Sequence, residues 1–404
     1  MHNLLSHFVA AVLLVLALPL QAAPRHIPFT HPGPLLPDSS NFVTASLVVI
    51  APGPNTVSAM GHSAIRLECP VHNLDYCFTL ENDPSYSMLA FILGKTPTHD
   101  IAIPTQEFMK EFIRDNRRVT QHELNLTLHE KQELWRAADN EFTNDGHRLF
   151  NYSYTGTDNC TSICYELIER SLIDDKIVVD EIPPILQENN GDYFRFMSRR
   201  SPWVRFLLIT LAGTACDETW HMRNRMAPEI IVPLLSHSSF EDSRGKRQVL
   251  KGKELLLEPG GVEVKPGKVT PMLVFGLLLL VAVVLVLAER SRVGAKAARV
   301  FDAGLFTFQS MLGIMLVVVL CVGSIVGQHW NWYLIPFNPL PLVVWLCWRK
   351  RSWYPRVYGL YAVVLVLFIL ATPLSSQLDL EHQLLTAALA VRCAARYLRA
   401  HRAQ

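Results

Sequence analysis

Long apolar runs in the last third of this 404-residue chain constrain its fold more than any other feature. Residues 272–288 contain no charged side chain, whereas charged residues are frequent between about residues 60 and 270. An uninterrupted apolar run of this length can cross the hydrocarbon core of a bilayer as a helix. The sequence therefore predicts a membrane domain that follows a domain of ordinary globular composition.

The first residues have the pattern of a secretory signal. An apolar run over residues 4–20 is followed by Gln21-Ala22-Ala23-Pro24, which offers a small-residue cleavage site. We predict a signal peptide over 1–23. The alternative is an uncleaved anchor helix, and both interpretations export the segment that follows.

Lys and Arg residues between the apolar runs predict the orientation of the membrane domain. We predict about five transmembrane helices within 272–397, at 272–288, 305–326, 334–348, 357–371 and 384–397. Basic residues cluster after the first and third runs and in the tail, 398–404, which places these parts in the cytoplasm by the positive-inside rule. The expected arrangement is a multi-pass membrane protein whose N-terminal domain is exported. A net charge of +1 gives no indication of nucleic acid as a partner.

The exported part has the mixed pattern of an α+β domain, which we place at 42–240. Residues 47–50 form a β-branched run, and 62–67 alternate between apolar and polar side chains, as half-buried strands do. Residues 160–172 have helical spacing. The charged, Gly-containing segment 241–271 is predicted to be a linker.

Cys160 and His62 are the predicted catalytic residues. Cys160 follows Asp158-Asn159, which are good helix-capping residues, and a helix N-terminus lowers the pKa of a thiol. A histidine on a neighbouring strand can deprotonate such a thiol and later protonate a leaving group. The alternatives are a buried thiol, or a disulfide with Cys164, and a core histidine. Two other pairings, of Cys69 with Cys77 and of Cys164 with Cys216, are open. No metal-ligand spacing or phosphate-binding loop is present, so no cofactor is predicted.

Two segments carry a resemblance to a known family. Gly61-His62-Ser63-Ala64-Ile65-Arg66, with Asn159-Cys160-Thr161, is similar to the Lnb-type periplasmic domain family. Weaker matches are found at residues 124–127, 152–154, 194–195, 217, 331–334 and 337–340. Cys69, Cys77 and the polar stretch 214–225 depart from the family pattern.

The resemblance implies the fold and the chemistry of a lipoprotein N-acyltransferase. The implied fold is a permuted papain-like (NlpC-type) domain with a C-terminal α-helical transmembrane bundle, and His62 before Cys160 matches that permutation. The superfamily orients its histidine with a polar group, for which Thr79, Asn82 and Asn159 remain alternatives. Supporting candidates at the site are Asn159, Ser63 and Tyr154.

The implied reaction moves an acyl chain from a phospholipid, through a thioester on Cys160, to the N-terminal amine of a lipoprotein. The expected partners are the phospholipid donor, a diacylglyceryl lipoprotein acceptor and the membrane. Trp330, Asn331 and Asn338 are lipid-interface candidates, because aromatic residues favour membrane interfaces and amides are costly in hydrocarbon. The alternatives are a membrane-anchored cell-wall cysteine peptidase or amidase, and a non-enzymatic membrane scaffold.

Overall fold

The computed structural model describes residues 43–53, 58–82, 87–143, 150–152, 159–219, 226–243, 245–258, 267–348 and 353–402. The chain divides into two compact units. The sheet unit comprises Met1–Leu186 and His221–Val264, and the bundle unit comprises Gln187–Trp220 and Lys265–Gln404. The predicted signal peptide, 1–23, lies outside the described residues.

Among the described residues of the sheet unit, ten strands form two sheets. In chain order they are β1 (Thr44–Ile50), β2 (His62–Cys69), β3 (Leu74–Asn82), β4 (Thr96–Pro104), β5 (Val119–Leu124), β6 (Phe150–Tyr152), β7 (Lys176–Val179), β8 (Ser238–Asp242), β9 (Gly245–Gln248) and β10 (Leu250–Leu257). Seven of them form an antiparallel sheet in the order β10-β5-β1-β2-β3-β4-β6, and β7-β8-β9 form the second sheet. The predicted strand runs at 47–50 and 62–67 are therefore adjacent central strands.

Helices cover both faces of the larger sheet. The helices of this unit are α1 (Met88–Ile92), α2 (Thr105–Arg114), α3 (Leu128–Thr143), α4 (Cys160–Ser171) and α7 (Pro228–Ser236). On one face, Phe108 and Phe112 of α2 pack with Ile50 and Ala64 of the sheet. On the other, Phe78 makes edge-to-face contacts with Trp135 and Phe142 of α3. Because successive side chains of a strand point to opposite faces, β2 directs His62 and Ser63 to different layers.

Gly61 is required by the backbone at the start of β2. Its φ of 84° lies in the left-handed region, and a Cβ there would lie 2.7 Å from the carbonyl oxygen of Ile50. Real Cβ atoms do not approach that closely, so another residue would displace β2 from β1 at the point where His62 begins the strand.

The structure contains none of the disulfide pairings that the sequence left open. All eight cysteines are free thiols. Cys69 and Cys77 lie on paired strands, but the register sets Cys69 opposite Leu74 and Cys77 opposite Arg66. That offset along the strands is too long for a disulfide to bridge.

The bundle unit is built from helices. They are α5 (Asn190–Met197), α6 (Pro202–Ala212), α8 (Pro271–Ala288), α9 (Arg292–Val322), α10 (Leu340–Trp348), α11 (Tyr354–Leu370) and α12 (Leu380–Arg402). By length and composition α8 and α9 are able to cross a membrane, and α11 is a shorter apolar helix.

The structure differs from two of the predicted domain boundaries. Residues 187–220, predicted within the 42–240 domain, belong to the bundle unit. The predicted linker, 241–271, contains β9 and β10, and β10 pairs along β5 at the edge of the larger sheet. Edge strands often carry charged side chains, which discourage pairing with another chain. The charged residues of β10 therefore fit an edge strand, although by composition alone they had indicated a linker.

Candidate active site

Cys160 is the first residue of α4. The Asn159 side chain accepts hydrogen bonds from the backbone N–H groups of Thr161 and Ser162, at 2.9 and 3.0 Å, and Ser162 Oγ accepts from Asn159 N at 2.9 Å. This capping box satisfies donors that a helix N-terminus otherwise leaves unpaired. The cap fixes the opening turn, so the half-buried Cys160 thiol lies at the positive end of the helix dipole.

His62 begins β2, and its imidazole packs beside two aromatic rings of α2. The ring centroids of Phe108 and Phe112 lie 6.0 and 6.4 Å from that of His62. Apolar neighbours of this kind restrict the rotamers of the imidazole and exclude water from one side of it.

The thiol of Cys160 and the imidazole of His62 interact directly. Burial alone would raise the pKa of Cys160, but the charge of His62, its hydrogen bond to the thiol and hydrogen bonds from Ser63 lower it to about 7. Burial lowers the pKa of His62, whereas the negative charge and hydrogen bond of Cys160, together with Glu81, raise it above its usual value. The pair thus favours a thiolate next to an imidazolium near neutral pH.

Thr79 on β3 fixes the tautomer of His62. Its hydroxyl donates to the carbonyl oxygen of Ser63 at 2.7 Å, and the same oxygen lies 2.9 Å from Nε2 of His62. A carbonyl can only accept, so the single hydroxyl proton of Thr79 is used there, and Nε2 must carry the proton that Thr79 accepts. Nδ1 is then the ring nitrogen left to take a proton from Cys160.

Of the three residues left open as the orienting group, only Thr79 contacts the imidazole in this way. Asn82 accepts from the Thr98 hydroxyl at 3.0 Å. The side-chain oxygen of Asn159 is used by the α4 cap. Tyr154, a supporting candidate, lies outside the described residues.

Ser63 connects the strand to the helix that carries Cys160. Its hydroxyl lies 2.9 Å from that of Thr161 and 3.9 Å from the sulfur of Cys164. Cys164 also donates to the carbonyl oxygen of Cys160 at 3.0 Å. Burial and the adjacent Cys160 raise the pKa of Cys164 well above its usual value, so it stays a neutral thiol while Cys160 ionises.

The three lipid-interface candidates have different surroundings in the bundle unit. Trp330 is exposed. Asn331 is buried, where it donates to the carbonyl oxygen of Thr210 at 2.7 Å and accepts from Gln377 at 2.8 Å. Asn338 accepts from the backbone N–H of Leu340 at 3.0 Å, at the start of α10. Both amides therefore stabilise the bundle from within, and Trp330 alone presents its side chain outward.

Among the described residues, no group of three or more His, Cys, Asp or Glu side chains has an arrangement that could hold a metal ion.

The fold and the site define a class of protein: a membrane protein in which an α+β domain that carries a Cys–His pair precedes a helical transmembrane domain. Comparison with protein families agrees. Residues 38–188 match the Lnb N-terminal periplasmic domain, and residues 263–404 match the Lnb transmembrane domain. The chain belongs to the Lnb family, and its N-terminal domain is periplasmic. No curated protein and no solved structure matches it.

Proposed function

We propose that this protein is a cysteine acyltransferase that N-acylates lipoproteins, with Cys160 as nucleophile and His62 as general base and acid. The observation that carries the proposal is the Cys160–His62–Thr79 arrangement, in which a thiol with a pKa of about 7 faces an imidazole of fixed tautomer. Its presence in a member of the Lnb family supports a lipoprotein-modifying role.

The first half-reaction forms a thioester. The Cys160 thiolate attacks an ester carbonyl of a phospholipid, and the backbone N–H of Cys160, at the first helical position, is suited to stabilise the resulting oxyanion. The ester C–O bond then breaks, and the imidazolium of His62 gives its proton to the departing alcohol. The products are acyl-Cys160 and a lysophospholipid.

The second half-reaction transfers the acyl group. The α-amine of a diacylglyceryl lipoprotein attacks the thioester, His62 accepts the proton that the amine loses, and the C–S bond breaks to give an amide and the free thiol. We place the reaction at the periplasmic side of the bacterial inner membrane, with a multi-pass bundle that keeps the enzyme among its lipid substrates.

The experiment that tests this reaction uses the full-length protein in phospholipid vesicles. We expect mass spectrometry to find one acyl chain on the Cys160 peptide, and the chain to move to the N-terminus of an added diacylated lipopeptide. Cys160→Ser and His62→Ala should abolish both signals, and Cys164→Ala, one helical turn away, should retain them. Release of fragments from cell-wall peptides without lipopeptide acylation would instead support the peptidase alternative.

A further inference from the structure

A groove on the outer surface of the bundle unit lies between α11 and α12. Its volume is about 470 Å³. Gly359 lets the two helices approach closely at this point, because a Cβ there would lie 2.7 Å from the ring of Tyr397. The groove therefore follows from the way in which α11 packs on α12. The side chains that line it include Arg356, Leu360 and Val363 of α11 and Ala394, Tyr397 and Leu398 of α12.

An exposed apolar stripe continues from the groove along α11. Leu360, Val363, Leu367 and Leu370 are all exposed and follow one another at intervals of three or four residues, so they lie on one face of the helix. From Leu360 to Leu370 the helix rises by about 15 Å, which is about half the thickness of the hydrocarbon core of a bilayer. An apolar surface of this kind in a transmembrane domain faces lipid, so an acyl chain fills a groove that opens toward it.

One end of the groove carries an excess of positive charge. Arg356, in the first turn of α11, is exposed there, and its guanidinium makes no ion pair with any described residue. Glu289 and Asp302 are the only acidic residues in the sequence between 265 and 378. Both carboxylates are already shared by three guanidinium groups, those of Arg392, Arg396 and Arg399. Two carboxylates therefore face four arginines, and this end of the bundle attracts an anion.

We propose that this groove binds a phospholipid with a negatively charged headgroup, whose phosphate contacts Arg356 and whose acyl chain lies along Leu360 and Val363. A cation at one end and an apolar track about one leaflet deep match the two parts of such a lipid. The basic loops predict that this end of the bundle lies in the cytoplasm, where membrane leaflets expose anionic lipids. The bound lipid is a structural partner of α11 and α12, and its binding does not depend on the proposed acyl transfer.

Binding of defined lipids to the full-length protein in detergent tests this proposal. Native mass spectrometry gives the dissociation constant of the first bound lipid, for phosphatidylglycerol and for phosphatidylcholine with the same acyl chains. The wild type should bind phosphatidylglycerol more tightly. Arg356→Gln should bind it about fivefold more weakly and lose most of that preference. Arg292→Gln, at an exposed arginine that begins α9 and lies outside the groove, is the matched control and should bind like the wild type.

A second variant tests the apolar part of the groove. Ala394→Phe places a ring in the groove and should weaken the binding of both lipids by similar factors. If it does not accumulate, Val363→Phe fills the groove from an exposed position.

Three results would overturn the proposal. The first is wild-type binding in the variants with a filled groove, and the second is an unchanged affinity for phosphatidylglycerol in Arg356→Gln. The third is an equal loss in Arg292→Gln, which would mean that the basic end attracts anionic lipid without a defined site. The measurement needs no acyl transfer, so a failure of the proposed function would leave its result interpretable.

Discussion

The hydroxyl oxygens of Ser63 and Thr161 lie 2.9 Å apart, and both side chains are fully buried. Ser63 follows His62 on β2, and Thr161 follows Cys160 on α4. The hydrogen bond therefore joins strand and helix one residue away from the imidazole and the sulfur. A shift of α4 along the sheet would have to break it, so this pair holds Cys160 in register with His62.

Thr161→Val should loosen that register. Valine has the shape of threonine but leaves the Ser63 hydroxyl without its main partner, which costs about 1–3 kcal/mol in a buried site. We expect a lower thermal midpoint and slower alkylation of Cys160 at pH 7. Thr161→Ser is the control that keeps the hydroxyl. The double variant Ser63→Ala/Thr161→Val should be less destabilised than the sum of its parts, and strictly additive effects would contradict the link.

Thr79→Val tests the orientation of the imidazole. Without the acceptor at Nε2, His62 can adopt the other tautomer or rotate away from Cys160. Loss of one such hydrogen bond, about 1 kcal/mol, should slow acyl transfer by roughly five- to tenfold. Thr79→Ser should be close to the wild type. A variant that lost stability but kept the wild-type pH profile of Cys160 alkylation would show that Thr79 acts on the fold alone.

The sequence was informative where local chemistry decides the structure. Alternation predicted β2, and the capping residues before Cys160 predicted a helix that begins there; both elements are as expected. The same local argument explains Asn159, which caps α4 and does not orient His62. The local pattern could not identify Thr79, among three polar residues, as the group that orients His62. The register of β2 against β3 brings Thr79 to the imidazole, and register is a property of the whole sheet.

Long-range pairing also explains what the sequence did not reveal. Arg117 stands in an Asn-Arg-Arg stretch that reads as an exposed turn, and only the packing of α2 on the sheet buries it. Likewise, β10 contains Lys and Glu, and its pairing partner β5 is more than a hundred residues earlier in the chain. Composition cannot indicate a partner at that distance.

His62→Ala should return the thiol of Cys160 to ordinary behaviour. The imidazole is the main influence that lowers the pKa of Cys160 to about 7, against burial that raises it. Without it, we expect a midpoint of alkylation at or above pH 9, and alkylation at pH 7 about fiftyfold slower than in the wild type. The comparison is the Cys164→Ala variant, whose Cys160 should react as before. Rapid alkylation at pH 7 in His62→Ala would contradict the dyad.

Asp75 should make the sheet unit sensitive to acid. Burial raises its pKa, but hydrogen bonds from Arg66 and Thr105 and the charge of Arg66 bring it below the usual value. A carboxyl with a depressed folded-state pKa stabilises the fold above its unfolded pKa, and this stability is lost as the pH falls through the folded value. Asp75→Asn should therefore be less stable than the wild type at pH 7, by about 1 kcal/mol or less for a partly exposed pair, and the difference should shrink below about pH 4.

Thermal unfolding of the full-length protein in detergent between pH 3 and 7 measures this effect. Asp174→Asn, at an exposed position after α4, is the control and should follow the wild type at every pH. A stability difference for Asp75→Asn that stayed constant down to pH 3 would mean that the ionised carboxylate is not what stabilises the fold.

Among the charged residues of the bundle unit, Asp302 in α9 should be the one at which substitution is tolerated least. Its two carboxylate oxygens accept from Arg392 at 2.6 Å and from Arg396 at 2.8 Å, and the side chains of Asp302 and Arg392 are buried. Asp302→Asn removes one charge of a buried cluster and leaves two guanidinium groups partly uncompensated, a change that typically costs about 3–5 kcal/mol. We expect a marked loss of protein from the membrane fraction and a lower thermal midpoint.

The control is Arg399→Gln, at a half-exposed side chain that pairs with Glu289, and it should reduce the stability far less. Because removing Arg392 together with Asp302 leaves one guanidinium, that of Arg396, without its carboxylate and not two, Asp302→Leu/Arg392→Met should accumulate better than Asp302→Asn. The reverse order would show that the charges themselves are not what holds α9 to α12.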